Sequence, residues 1–200
     1  MAKALNQNRI RDTRILLLLA LLVTMLTEPD FKPPGIAHAL LEMLGELLVA
    51  ACAVGRVYTT AFLGGHKNAR LIAHGPFSVV RNPLYVCSLL GVTGVALMSA
   101  HWLVMLVLPP AFLGLYSALV AREEVRLREI FGAEYAHYCA STPRFLPRFS
   151  RYHAEPGMEV NPALLWNAVR DAALWFLALP LFELVGHAQL AGYLPAWRLF

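Results

Sequence analysis

The 200-residue chain is short of charge. Asp, Glu, Lys and Arg make up 15% of it, against roughly 25% in ordinary soluble domains. With 58% hydrophobic residues and a mean hydropathy of +0.54, it has too little polar surface for a water-soluble fold. Lipid offers the backbone no hydrogen bonds, so such a chain is expected to be helical. The three cysteines, Cys52, Cys87 and Cys139, show no C-x-x-C or Cys/His spacing. That argues against a disulfide framework or a metal site, and leaves them as small buried hydrophobes. No groove-reading motif accompanies the net charge of +4, so nucleic acid is not an expected partner. No glycine-rich strand–helix turn is present, which excludes a soluble dinucleotide-type architecture. No repeated half or pair of broken helices points to a transporter.

What is present is a succession of apolar runs divided by breakers. Residues 1–14 carry Lys3, Arg9, Arg11 and Arg14 ahead of the run Ile15–Leu26. A basic start and a short apolar run resemble a signal peptide, but Met25-Leu26-Thr27 offers no small-x-small cleavage site. We read a first membrane helix with its N-terminus in the cytosol, short for a span of about 20 residues. The breaker-dense segment from Glu28 to Gly35 is an outer turn. A second helix is expected from Ile36 to about Phe62, with His38, Glu42 and Glu46 spaced four apart on one face. Ionisable groups inside a span are functional candidates by default.

The stretch G-P-F-S-V-V-R-N-P-L-Y, Gly75 to Tyr85, feeds a third helix over Leu84–Ser99. Pro83 belongs in its first turn, where no hydrogen bond is lost. Ser99-Ala100-His101 breaks the chain, and a fourth helix follows from Trp102 to about Ala121, with a kink expected at Pro109-Pro110. Arg122 to Cys139 alternates charges with Val125, Leu127, Ile130, Phe131 and Tyr135. It predicts a cytosolic extension and an amphipathic helix on the membrane surface. A last apolar helix is expected from Ala163 to about Gly186. On these assignments only Lys32 and Arg198, of 17 basic residues, lie on the outer side, a positive-inside pattern.

Two separated motifs then carry a family resemblance. The pattern G-x-[FY]-x-x-x-R-[HN]-P-x-Y falls on Gly75, Phe77, Arg81, Asn82, Pro83 and Tyr85. The pattern E-E-x-x-L-x-x-x-F-G-x-x-Y-x-x-Y falls on Glu123, Glu124, Leu127, Phe131, Gly132, Tyr135 and Tyr138. P-R-x-x-P follows at Pro143, Arg144 and Pro147. Over residues 64–148 the chain resembles the isoprenylcysteine carboxyl methyltransferases and the wider membrane methyltransferase group that includes phospholipid N-methyltransferases. The resemblance implies a polytopic all-α membrane bundle of about five transmembrane helices with a cytosolic amphipathic helix. It would be one membrane domain: a helix pair (1–63), a methyltransferase core (64–148), and a C-terminal helix and tail (149–200).

The resemblance implies S-adenosylmethionine as methyl donor and S-adenosylhomocysteine as product. Cofactor contacts would fall on Ala69, Arg70, Leu71, Ile72, Phe77, Asn82, Pro83, Leu84, Tyr85 and Glu123. Glu123 or Glu124 would take the donor's ammonium, with Phe77 or Tyr85 packed on its ring. The methyl acceptor would be hydrophobic or lipid-like and enter from the bilayer, while the donor enters from the cytosol; no metal is implied. The expected location is a bacterial inner membrane, with the cofactor site cytoplasmic. Three positions depart from the family pattern. Asn82 replaces a usual histidine, Ala69 replaces another, and the substrate-carboxylate arginine falls on Leu119. Arg122 and Arg81 are candidates to replace that arginine, and Glu46, with Glu42 behind it, is the candidate base for an amine or hydroxyl acceptor. The alternative is a non-catalytic, lipid-binding member of the same fold.

Overall fold

The apolar runs become helices and the Pro/Gly/Asp clusters become the turns between them. The computed structural model describes residues 15–64, 70–155, 157, 159–195 and 197. Helix α1 spans Ile15–Leu26, α2 Ile36–Leu63, α3 Pro76–Val79 and α4 Pro83–Met98. Helix α5 spans Trp102–Ser141, α6 Pro162–Phe176 and α7 Ala178–Leu190, with a 3-10 turn at Phe149–Arg151. Among the described residues there is no strand, only an isolated bridge between Thr27 and Trp197.

Helices α2 and α5 are long and apolar enough to cross a membrane; α1 and α4 are shorter apolar helices. Many large apolar side chains lie outward, among them Leu18, Leu40, Leu47, Val54, Leu106 and Leu184. In water that would be a liability; in lipid it is the expected surface.

Two expectations are corrected. The fourth helix extends through the charged segment to Gly132, where a kink separates it from a second helical stretch ending at Ser141, and Pro109-Pro110 sit inside it without leaving helical geometry. The backbone departs at Gly132 instead (φ 52, ψ −121), where only glycine is unstrained. The last apolar run is also not one helix. Helical bonding stops at Leu177, three residues before Pro180, whose missing N–H and ring oppose a bond back to Phe176.

The chain divides into two compact units. One comprises Met1–Ala50, Gly91–Leu113 and Phe176–Phe200; the other comprises Ala51–Leu90 and Gly114–Trp175. Helices α2, α4 and α5 each contribute one end to each unit. In the first unit the break at Ser99–His101 is tied to the turn that follows α1. His101 is 2% exposed; its Nδ1–H donates to the Ser99 carbonyl and its Nε2 lies 2.9 Å from Thr27 Oγ1. Gln189 Nε2 donates to the carbonyls of Thr24 (2.9 Å) and Thr27 (3.0 Å), and Asp30 accepts from the Trp102 N–H at 3.0 Å. The second unit holds the motif residues. There α2 and α4 come so close that a Cβ on Gly55 would lie 2.6 Å from Cys87 Sγ.

Candidate functional site

The stretch from Gly75 to Asn82 is built to stay in one shape. Gly75 has φ 58, and a Cβ at that position would collide with the Phe62 ring, so glycine is required twice over. Pro76 starts the single turn of α3, and Ser78 Oγ donates back to the Gly75 carbonyl at 2.6 Å. Val80 returns to extended geometry. Asn82 then opens α4, its carbonyl accepting from the N–H groups of Tyr85 and Val86, both at 3.1 Å. Pro83 follows as the first helical residue, as its missing N–H predicts.

Residues far along the chain hold this loop from the other side. The Arg81 N–H donates to Pro143 O (2.8 Å), the Arg148 N–H to Val79 O (3.0 Å), and the Gly75 N–H to His153 O (2.7 Å). Asn82 Nδ2 donates to Arg144 O at 3.2 Å, and the Tyr138 hydroxyl to Phe77 O at 2.7 Å. The two sequence motifs are therefore one structure, joined mostly through backbone.

At its centre Glu124 is 4% exposed. Arg81 Nη1 lies 3.0 Å from its Oε1; Arg144 grips both oxygens, Nε at 3.1 Å from Oε1 and Nη2 on Oε2. The bond to Glu124 raises the Arg144 pKa further above its ordinary value, so that guanidinium stays charged. Two cations thus share one carboxylate. Arg81 Nη1 also donates to Cys139 Sγ at 3.0 Å, while its Nε is buried with no partner. Cys139 is half-buried and accepts that bond, so it is not the inert hydrophobe that its sequence context indicated. Cys87 is also only half-buried; Cys52 is fully buried.

Glu123 faces elsewhere, because successive helical residues point about 100° apart. It accepts from the Tyr85 hydroxyl at 2.9 Å, and the Tyr85 ring packs on Tyr116 with centroids 5.1 Å apart. The sequence left Glu123 and Glu124 as equals; the structure separates them into a locked anion and one beside an aromatic pair.

Other expected residues are placed less centrally. Arg70 is exposed and pairs with Glu155 at 3.3 Å; Leu71, Ile72, Phe77 and Leu84 are half-buried, and Pro83 is buried. Ala69 lies outside the described residues. Arg122 is exposed on α5, away from the Glu124 cluster. Glu46 is half-buried and belongs to the first unit, so it is not among the residues gathered here.

Sequence reasoning missed three participants. Arg144 was legible as part of P-R-x-x-P, but not as the clamp on Glu124. Tyr116 carried no signal. Arg56 did carry one, as a charge inside an apolar run: it is half-buried, with Nη1 donating to Ser88 Oγ at 2.7 Å.

Comparison with known proteins follows the same residues. The phospholipid methyltransferase family model matches residues 40–134. The cobalt-zinc-cadmium resistance protein CzcN of Cupriavidus metallidurans is 39% identical over 140 residues, covering 70% of this chain and 64% of that protein's own length. The nickel-cobalt-cadmium resistance protein NccN of Alcaligenes xylosoxydans xylosoxydans is 30% identical over 199 residues, covering 98% of this chain and 91% of its own. No solved structure gives a significant match.

Proposed function

The chain belongs to the phospholipid methyltransferase family, within the group of membrane methyltransferases that includes the isoprenylcysteine carboxyl methyltransferases, and on that premise we propose that it is an S-adenosylmethionine-dependent membrane methyltransferase. The acceptor is a lipid or other hydrophobic small molecule reached from the bilayer. The observation that carries this reading is the pairing of Glu123 with Tyr85 beside a loop whose shape is fixed from both sides. A bound methyl donor supplies an activated methyl on a sulfonium and presents both signs of charge and an aromatic ring.

The residues present fit those needs. Glu123 offers a carboxylate to the donor's ammonium, and the Tyr85–Tyr116 pair offers an aromatic wall. Arg81 Nε is a buried donor lacking an acceptor, which an incoming carboxylate would provide. The protein's contribution to methyl transfer is mainly to hold two partners aligned. Under this reading α1, α2, α4, α5 and the α6–α7 pair cross a bacterial inner membrane, with the loop and the N-terminus cytoplasmic. Glu46, a half-buried carboxylate in α2, is the proposed base for an amine or hydroxyl acceptor.

The relatives are named for metal resistance. Among the described residues no group of three or more His, Cys, Asp or Glu side chains is gathered to hold an ion. Under the methyltransferase reading, this chain's part in such a trait is methyl transfer at the membrane.

Calorimetry with S-adenosylhomocysteine tests the donor site. Glu123→Ala and Tyr85→Ala should each weaken binding clearly, while Arg148→Ala should not. Absence of binding at millimolar ligand would favour a non-catalytic scaffold. Mass spectrometry of lipid extracts incubated with isotopically labelled donor would identify the acceptor, and unchanged turnover in Glu46→Gln would remove Glu46 from the mechanism.

A further inference from the structure

Arg56 is a cation in the wrong place for a structural residue. It lies in α2, seven residues before the helix ends at Leu63, and so about 10 Å inside an apolar span. Among the described residues no carboxylate is within ion-pair reach. Its side-chain hydrogen bond goes to the neutral Ser88 hydroxyl at 2.7 Å, the Cys87 thiol lies near enough to feel its charge, and its Nε is buried with no hydrogen-bond partner. A guanidinium in such a span faces the bundle interior and is normally neutralised there.

Its position is set by packing. Gly55, the preceding residue, lets α2 press against Cys87 of α4, so the Arg56 side chain runs along α4 to Ser88. Ser88 lies three residues beyond Tyr85, about 4.5 Å further along α4 from the Gly75–Asn82 loop. Arg56 therefore stands on the apolar side of the Tyr85–Glu123 pair, one helical turn deeper than the proposed donor site. A hydrophobic acceptor reaching that site from the bilayer would bring its polar end to this level.

We propose that Arg56 is a specificity-determining residue that binds an oxyanion, carboxylate or phosphate, on the head of an amphiphilic methyl acceptor. That the oxyanion belongs to the acceptor rests on the methyltransferase reading above. That Arg56 binds one does not. A free Nε–H and the remaining Nη–H groups give the planar fork that suits two-point recognition of such a group.

The test uses the full chain purified in a neutral maltoside detergent, with palmitate, hexadecyl phosphate and methyl palmitate as probes. Thermal unfolding and calorimetry should show stabilisation and binding by one or both anions, and none by the neutral ester. Palmitate alone identifies a carboxylate site, hexadecyl phosphate alone a phosphate site. Arg56→Gln should weaken anion binding at least about tenfold, the value of losing a charged hydrogen-bonded partner. Its affinity for S-adenosylhomocysteine should stay at the wild-type value. Equal stabilisation by the neutral ester, or unchanged anion binding in Arg56→Gln, overturns the proposal. Should Arg56→Gln fail to fold, Arg56→Lys carries the test, because it keeps the charge and loses the fork: several-fold weaker binding is expected and wild-type affinity overturns. A wild-type protein that binds anions through Arg56 but no S-adenosylhomocysteine would sink the donor-site reading and leave this one standing.

Discussion

The two compact units bury polar groups in different ways. In the first unit the buried set is neutral and matched: Thr24, Thr27, Ser99 and His101 find partners in one another or in nearby carbonyls. The second unit buries neutral groups too, Thr59, Ser78, Ser88 and Thr142, but adds a buried carboxylate, Glu124, beside half-buried arginines. Two guanidiniums share Glu124, a third at Arg56 has no anion, and the two buried side-chain atoms without partners among the described residues are both arginine Nε atoms of this unit. A neutral matched network fixes a fold and asks for nothing more. An excess of half-buried positive charge is tolerated where a ligand completes it. On the reading proposed above, the second unit is the one that receives the methyl donor.

The comparison can be broken most directly at Glu124. Glu124→Gln removes the anion from two guanidiniums in a buried setting, and the expected cost is about 3 kcal/mol, the low end for a broken buried pair because Arg144 is partly exposed. A fall in the thermal midpoint in detergent measures it, and Glu124→Gln combined with Arg144→Gln should cost less than the sum of the single changes. An unchanged midpoint would mean that the cluster is not structural. Next comes His101→Ala, which strands the Ser99 carbonyl and empties a fully buried site, at about 2 kcal/mol. Here the sharp point is functional: S-adenosylhomocysteine affinity should not move. If it falls with His101→Ala as it does with Glu123→Ala, the division of roles is wrong.

Gly75→Ala places a side chain at φ 58 against Phe62 and should cost about 1–3 kcal/mol while loosening the loop, visible as faster proteolysis near residue 75. The smallest effect belongs to Tyr85→Phe. It removes one hydrogen bond to Glu123, worth about 1 kcal/mol, and leaves the ring on Tyr116. Donor affinity should drop only a few-fold, less than with Tyr85→Ala.

Much of this was legible in the sequence because breakers act locally. Pro83 starts α4, Ser99–His101 separates α4 from α5, and α2 closes within a residue of its expected end. A second helix beyond the fourth is legible in the charge pattern, but its join at Gly132 is not, because Pro109-Pro110 carries the stronger local signal. An apolar helix can carry prolines without leaving helical geometry when neighbouring groups accommodate the freed carbonyls. Leu177 carries no signal of its own; the cause lies in Pro180. At the site, the two motifs announced that Arg81, Tyr85, Glu123 and Glu124 belong together. Which glutamate faces which partner depends on helix phase and on Arg144 returning from 20 positions downstream, and no local pattern encodes that. Arg56 carries the same sequence signal as Glu42 and Glu46, an ionisable side chain inside an apolar helix.

The loop is held by residues made long after it. Asn82 is bound by Arg144, 62 positions later, and Ser78 by His153, 75 positions later. A ribosome adding about 5–20 residues per second needs roughly 3–15 s to cover that distance. Throughout that interval α4 is already made while the loop before it lacks half of its hydrogen bonds. The site is thus assembled only after α4 and α5, the helices on both sides of it, have been made. A chain stopped before residue 144 would have α1, α2 and α4 and most of α5 but no site, and a pulse-chase measurement of loop cleavage would date the moment of closure.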